Sequence, residues 1–383
     1  MNFELSKEQE LIQKAVKEYA EKAIIPIYQQ IDQNNKVPPE IFRGLADLDL
    51  FGLQYPEEYG GTGAGYSCYS LVLEQISRAS SGVAMTYAIH SLGTSAIFLF
   101  GTPEQKTRYM PSACKGQTIS SFAFTEPSTG SDPKQITTTA VRNGDHYIVN
   151  GTKRFISAAD LDGPIVIFAR DDSGEISSFI VDKNCPGYSV SEPWHKLGYR
   201  GGNLLDVYLK NVRVPAENIL GPQGQGFTVL RAAISFGKIA ICSCILGEMQ
   251  AALELSINYA REKAHRNGTI GKFPTVQLAI AKMAEKTEAA RWLCYRLAYL
   301  AEKIIDEKFQ DFVAFAKEAA LTKAFVTEAG VDVSRLAVGV HGSYGLMEDY
   351  KVSMIYRDMI IGEQIEGVND MQRLITAGVL LNS

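Results

Sequence analysis

Several things are scarce in this 383-residue sequence, and each scarcity excludes a class of function. Its six cysteines (Cys68, Cys114, Cys185, Cys242, Cys244, Cys294) form no C-x-x-C pair, and its five histidines form no H-x-x-x-H pair. Neither a zinc site nor a dithiol redox centre is therefore expected, and the cysteines read as reduced core thiols. Charge of one sign is also missing, because 38 Lys and Arg stand against 43 Asp and Glu for a net charge of -5. Without a basic excess, no nucleic-acid partner is indicated. No unbroken apolar run approaches the ~20 residues that cross a bilayer, so no membrane span is expected. The opening Met1-Asn2-Phe3-Glu4-Leu5-Ser6-Lys7-Glu8 lacks the apolar core of a signal peptide and the Arg-rich character of a transit peptide. A cytoplasmic protein is the expectation.

What remains is an ordinary globular composition, 46% hydrophobic and 21% charged, long enough for two or three cores. From Ser6 to about Phe100 the pattern is helical. Ser6 can cap a helix carrying Leu11, Ile12, Ala15, Val16 and Tyr19 at a 3.6-residue period, and Pro26 is expected to stop it. A second helix is expected over Pro39 to Leu48, with more from Tyr66 to Ser80 and Gly82 to Phe100. Between about Thr118 and Leu220 the period changes to two. Runs at Ile119 to Thr125, Gln135 to Val141, His146 to Asn150, Ile165 to Ala169, Ser177 to Val181 and Leu204 to Leu209 are separated by turn signals such as Asn143-Gly144 and Asn150-Gly151. Long helical segments follow, at Phe227 to Lys263, Pro274 to Asp306, Asp311 to His341, Val352 to Ile361 and Asp370 to Leu381. The predicted architecture is α+β and multidomain: an N-terminal helical bundle over 1–117, a β-barrel or sandwich over 118–221, and a C-terminal four-helix bundle over 222–383.

Three stretches could carry chemistry. Phe122-Ala123-Phe124-Thr125-Glu126-Pro127-Ser128-Thr129-Gly130-Ser131-Asp132 leaves a strand for a loop rich in hydroxyls and main-chain N–H groups, suited to a phosphate or a polar ring edge; a well-capped turn explains the same residues. In Asn150-Gly151-Thr152-Lys153-Arg154-Phe155-Ile156-Ser157, a strand would place Phe155 and Ser157 on one face, fit for a ring and its edge, or for nothing more than an amphipathic strand. Ile365-Glu366-Gly367-Val368, just before the closing helix, offers an acid beside a glycine. Glu366 there is either a catalytic base or a solvated loop carboxylate.

Taken together, Pro56-Glu57-Glu58-Tyr59-Gly60-Gly61-Thr62-Gly63, Phe100-Gly101-Thr102-Pro103-Glu104-Gln105-Lys106, Thr125-Glu126-Pro127 with Gly130-Ser131-Asp132, Asn150-Gly151-Thr152-Lys153, Lys196-Leu197-Gly198-Tyr199-Arg200, Val212-Arg213-Val214-Pro215, Tyr356-Arg357-Asp358 and Glu366-Gly367 stand in the order and spacing of the acyl-CoA dehydrogenases. The sequence resembles that family along almost its whole length. The resemblance implies an FAD flavoprotein of fatty acid metabolism that converts an acyl-CoA thioester to the trans-2-enoyl-CoA. It further implies a homotetramer or dimer of dimers that hands electrons to an electron-transfer flavoprotein. In that family the base sits at the position of Glu366 or of Gly237, and only Glu366 is acidic here. By the same resemblance Glu366 takes the α-proton while flavin N5 takes the β-hydride. Thr125 and the Phe122–Phe124 backbone would hold the pyrimidine side of the flavin, with Ser157 facing N5, Phe155 covering the ring and Ser131 near a phosphate. Ser131, Lys238 and Gly367 would meet the substrate.

The half-site that the family builds from a neighbouring subunit matches poorly. The arginine expected on the pyrophosphate is Lys263, which keeps charge but loses the bidentate fork. The aromatic that should follow is Arg266, the glycine after it Asn267, and two expected glutamines are Pro274 and Gly339. Val368 replaces a threonine, while Ser235 and Lys238 replace an Asp and an Arg near the pantetheine arm. Lys263, Arg266 and Asn369 could serve the adenosine end instead. Otherwise the chain pairs with a different subunit in a heteromeric enzyme, acts on a carrier-protein thioester, or runs as an enoyl-CoA reductase.

Overall fold

The computed structural model describes residues 4–266 and 268–382, so the first three residues, Asn267 and Ser383 lie outside the described residues. Ser6 caps α1 (Lys7–Tyr19) through a capping box with Gln9. Pro26 does not stop the chain's helical course, contrary to expectation. A π turn over Ala20–Ile24 and a 3₁₀ turn over Ile25–Ile27 carry it into α2 (Tyr28–Asn34). The widened turn lets Pro26 enter at the start of a new helical segment, where its missing N–H costs nothing. Then come α3 (Pro39–Asp47), α4 (Gly65–Ala79), α5 (Ser81–Phe100) and α6 (Pro103–Cys114).

The strands are β1 (Ser121–Ala123), β2 (Thr139–Asn143), β3 (His146–Ser157), β4 (Pro164–Arg170), β5 (Ile176–Asp182), β6 (Tyr188–Val190), β7 (Leu204–Pro215) and β8 (Ile219–Leu220). They form one mixed sheet in the order β6-β7-β3-β2-β4-β5-β8, with β1 parallel to β4. A single pair, Thr139 with Arg170, joins its two halves, and both halves bury side chains in one core containing Val149, Ile156, Ile167, Phe179 and Val207. Asn150-Gly151 is not a break between strands. β7 pairs with β3 on both sides of it, and the irregularity is absorbed as a bulge.

The last part is helical: α7 (Gly226–Glu262), α8 (Pro274–Asp306), α9 (Phe312–His341), α10 (Lys351–Gly362) and α11 (Asn369–Asn382). α5 and α7 are both long and apolar enough to cross a membrane, which the reading of unbroken runs missed. In the fold, 72% and 89% of their most apolar stretches are buried. The reason is that α4 and α5 pack on α7, so the N- and C-terminal helices share one core in which Tyr69, Val72, Phe236, Leu297 and Phe315 meet.

One buried ion pair ties the sheet to the loop after β1. Lys153 and Glu126 have fully buried side chains and lie 2.8 Å apart. The Lys153 ammonium also donates to the Phe124 and Phe168 carbonyls, and Glu126 accepts from the main-chain and hydroxyl groups of Thr137 and Thr138. Burial alone would raise the Glu126 carboxyl, but Lys153 and these donors hold it at about 2. Removing one partner leaves a buried charge uncompensated. Lys153→Met is expected to cost roughly 3–5 kcal/mol, measured by urea denaturation. Because the depressed carboxyl is what stabilises the fold, its contribution in the wild type is complete above the unfolded value near 4.5 and is lost as pH falls toward 2.

Candidate active site

The loop between α10 and α11 is irregular because two successive residues turn left-handed. Glu366 has φ +54° and Gly367 +85°, the first a strained value for a side-chain-bearing residue. Glycine is the natural occupant of the second position. This turn carries the Glu366 carboxyl back over α7, where a methyl group built on Gly237 would stand 3.1 Å from Glu366 Oε2 and 2.9 Å from Leu92 Cδ1 of α5. The absent side chain at Gly237 is thus what lets the carboxyl lie against α7. Burial raises its pKa, and the ammonium groups of Lys238 and Lys323 oppose the rise. Lys238 is itself buried and pushed down to about 8 by desolvation, with Glu366 opposing. The Glu366 N–H has no acceptor among the described residues, so a donor stands free beside the acid.

Lys323 was not anticipated. It is completely buried, and its ammonium donates to the Glu363 carbonyl (3.2 Å), the Gly367 carbonyl (2.8 Å) and Asn369 Oδ1 (2.8 Å). A sequence signal existed. Lys323 falls on the α9 face shared by Ala316, Ala319, Ala320, Val326, Thr327 and Gly330, all buried, where a lysine must find polar partners.

The second group of residues gathers where β1 and β3 end. Phe122 and Phe124 turn their rings onto Phe168, with centroids 5.1 and 6.0 Å away, while the Phe124 carbonyl accepts from Lys153. Arg154 N–H donates to the Thr125 carbonyl at 2.8 Å, drawing the two strands together. The hydroxyls of Thr125 and Ser157 are half-buried and make no hydrogen bond among the described residues. Phe155 and Ser157 are not related by simple alternation. A bulge lies between Lys153 and Ile156 and Phe155 adopts φ +60°, which leaves Phe155 half-exposed, edge-on to Trp194 at 5.4 Å. Trp194 and Arg154 share the Asp206 carboxylate. Two free hydroxyls, a main-chain edge and an exposed aromatic suit the edge and face of a polar heterocycle. Ser131 sits apart on an exposed turn.

The other expected contacts do not face outward in the same way. Asn369 is buried, its amide bonded to Lys323 and Thr327 rather than reaching for a ligand. As the first residue of α11 it is turned inward onto Lys323 and Thr327 of α9. The Lys263 ammonium lies 4.4 Å above the Tyr344 ring, an aromatic stack continued by Tyr259 and His341 at 4.3 Å. The Ser235 hydroxyl is taken by the Arg231 carbonyl of its own helix. The Gly367 carbonyl is occupied by Lys323 and Gln372.

Family models covering nearly the whole chain match it: the acyl-CoA dehydrogenase N-terminal domain over residues 6–117, the middle domain over 121–212 and the C-terminal domain over 224–381. The chain belongs to the acyl-CoA dehydrogenase family. It is 35% identical to a probable acyl-CoA dehydrogenase of Bacillus subtilis, YngJ, over 100% of both chains. It is 36% identical to a 3-(aryl)acrylate reductase of Clostridium sporogenes, over 98% of this chain and 99% of that one. A caffeyl-CoA reductase-Etf complex subunit of Acetobacterium woodii is 34% identical over 98% and 99%. Among solved structures, butyryl-CoA dehydrogenase from Megasphaera elsdenii superposes with a TM-score of 0.94 at 30% identity over 100% of both chains. An acyl-CoA dehydrogenase complexed with FAD from Bacillus anthracis gives 0.93 at 31%, over 99% of this chain and 68% of that one. As an acyl-CoA dehydrogenase, the chain is an oxidoreductase whose cofactor is FAD.

The fit between Gly237 and Glu366 is directly testable. Gly237→Ala should push the carboxyl aside and lower kcat by roughly 10- to 100-fold in an acyl-CoA-dependent dye-reduction assay. Because alanine favours a helix interior over glycine by about 0.5–1 kcal/mol, thermal stability should change little.

Proposed function

We propose that the chain dehydrogenates an acyl-CoA thioester between Cα and Cβ, with Glu366 as the base that removes the α-proton. The observation that carries this reading is the Glu366 carboxyl itself, held by a left-handed turn against Gly237, with a main-chain N–H beside it that has no acceptor among the described residues. An α-proton next to a thioester carbonyl is too weakly acidic for an unaided carboxylate, so the carbonyl oxygen needs a donor as charge develops. The Glu366 N–H is suited to that task. Lys238 and Lys323 favour the ionised base against the burial that raises its pKa, so the acid is shifted toward the working pH without losing its ionised form to burial alone.

FAD, when bound, supplies the hydride acceptor. In this chain the main chain of Phe122–Phe124, the Thr125 hydroxyl and Ser157 would hold its ring system, with Phe155 over the face. Electrons then pass to an electron-transfer flavoprotein. A soluble homotetramer in the cytoplasm completes the reading.

A second reading rests on Lys263 and Asn369. Since one stacks on Tyr344 and the other is bonded inward, only the exposed Arg266 of the three expected side chains is left to meet the adenosine end of a neighbour's FAD. That favours a heteromeric enzyme in which a related subunit supplies the missing half-site. Native mass spectrometry of the chain expressed alone separates the two: a homotetramer with one FAD per chain supports the first, and a colourless dimer or monomer supports the second.

Glu366→Gln should retain bound FAD yet lose bleaching of the flavin band by acyl-CoA, by about 10³-fold or more in rate; unchanged bleaching would place the base elsewhere. In the wild type, kcat/KM should rise with pH through a value above the ordinary carboxylate range, because the ionised form is the active one and burial delays its formation.

A further inference from the structure

We infer that Lys323 is a positioning residue for the base, pinning both ends of the Glu363–Asn369 loop so that Glu366 is held in its left-handed turn. The inference rests on the assignment of Glu366 as base.

The loop has almost no regular structure to hold it. Its internal bonds are few, with Gln364 and Ile365 N–H donating back to Ile361 and Asn369 N–H to Glu363. Lys323 spans the gap from the opposite side. One ammonium takes the Glu363 carbonyl at the end of α10, the Gly367 carbonyl just after the base, and Asn369 Oδ1 at the start of α11. These partners lie on both sides of Glu366 in sequence, so moving Lys323 moves the base relative to α7. Thr327, one turn along α9, bonds Asn369 a second time, and Gln372 Nε2 reaches the Gly367 carbonyl at 3.1 Å.

Three donors meeting three fixed acceptors fully use an ammonium's bonding capacity. The strained φ at Glu366 persists only if its surroundings over-determine it. Lys323 has a second effect through charge. The charged groups facing Glu366 are Lys238 from α7 and Lys323 from α9, while α5 presents the apolar Leu92; both ammonium groups favour the ionised carboxyl.

Lys323→Met in the FAD-loaded full chain tests this with two readouts. Hydrogen exchange of the 363–372 peptide should accelerate at least tenfold while peptides of the sheet stay unchanged. In the acyl-CoA bleaching assay kcat should fall roughly 10- to 100-fold with KM nearly constant, and the acid limb of the pH profile should move to higher pH, because a cation that favoured the carboxylate is gone. Should that variant fail to fold, Asn369→Ala, which removes one of the three acceptors, is expected to change the same readouts in the same direction by less. Unchanged loop exchange with an unmoved acid limb in the folded variant, or a rise in KM at constant kcat, would overturn the inference. The exchange readout needs no substrate. A wild type that no acyl-CoA bleaches therefore counts against the proposed function and leaves the pinning of the loop to be decided by exchange.

Discussion

The molecule depends on lysine ammonium groups withdrawn from water and bonded to main-chain carbonyls. Lys153 serves Phe124 and Phe168, while Lys183 serves Ile119, Ala158 and Leu161. Lys196 serves Tyr199 and Gly202, Lys323 serves Glu363 and Gly367, and Lys351 serves Arg78 and Ala79. Irregular backbone inside a fold has carbonyls that no ladder can satisfy, and an ammonium with three donors and no acceptor is suited to collect them. A buried cation is expensive unless fully bonded, so the same groups that satisfy the loops also depend on them.

The positions of these clamps are not scattered. Phe155, Ala158, Tyr199 and Glu366 all carry side chains at positive φ, and each is close to one of the lysines. Lys153 precedes Phe155 by two residues, Lys183 takes the carbonyl of Ala158 and Lys196 that of Tyr199, and Lys323 takes the carbonyl next to Glu366. Each such conformation costs of order 1–3 kcal/mol. The helices and the sheet give the molecule its bulk, while the clamps hold the short segments whose shape those layers do not dictate. Two of these segments, around Phe155 and around Glu366, carry residues of the candidate site.

This explains which features could be read in advance. α8 runs over Pro274–Asp306 as expected, because proline at its first turn and its apolar period are local signals. α9 begins beside Asp311, whose carboxylate accepts from Ala314 N–H, another local device. The continuity of β3 through Asn150-Gly151 was not legible, since it is decided by pairing with β7, some sixty residues away. At the site, the order of motifs drew attention to Glu366, Thr125 and Ser157. Neither the bond from Lys323 to Gly367 nor the placement of Lys263 on Tyr344 was legible, because both depend on how distant helices and loops pack. The engagement of Asn369 was equally out of view: a residue expected toward the adenosine end has its amide used by Lys323 and Thr327 where α11 packs on α9.

The closeness of Gly237 to the Glu366 carboxylate has a consequence for how such a site can change through descent. Two unrelated stretches of backbone, one a regular helix and the other a kinked loop, converge on a single small volume. A carboxyl hung from either would occupy it, so acidity there is an address in space and not a property of one codon. An exchange that empties one position as it fills the other could pass the proton-accepting role between α7 and the loop while the surrounding scaffold stayed as it is.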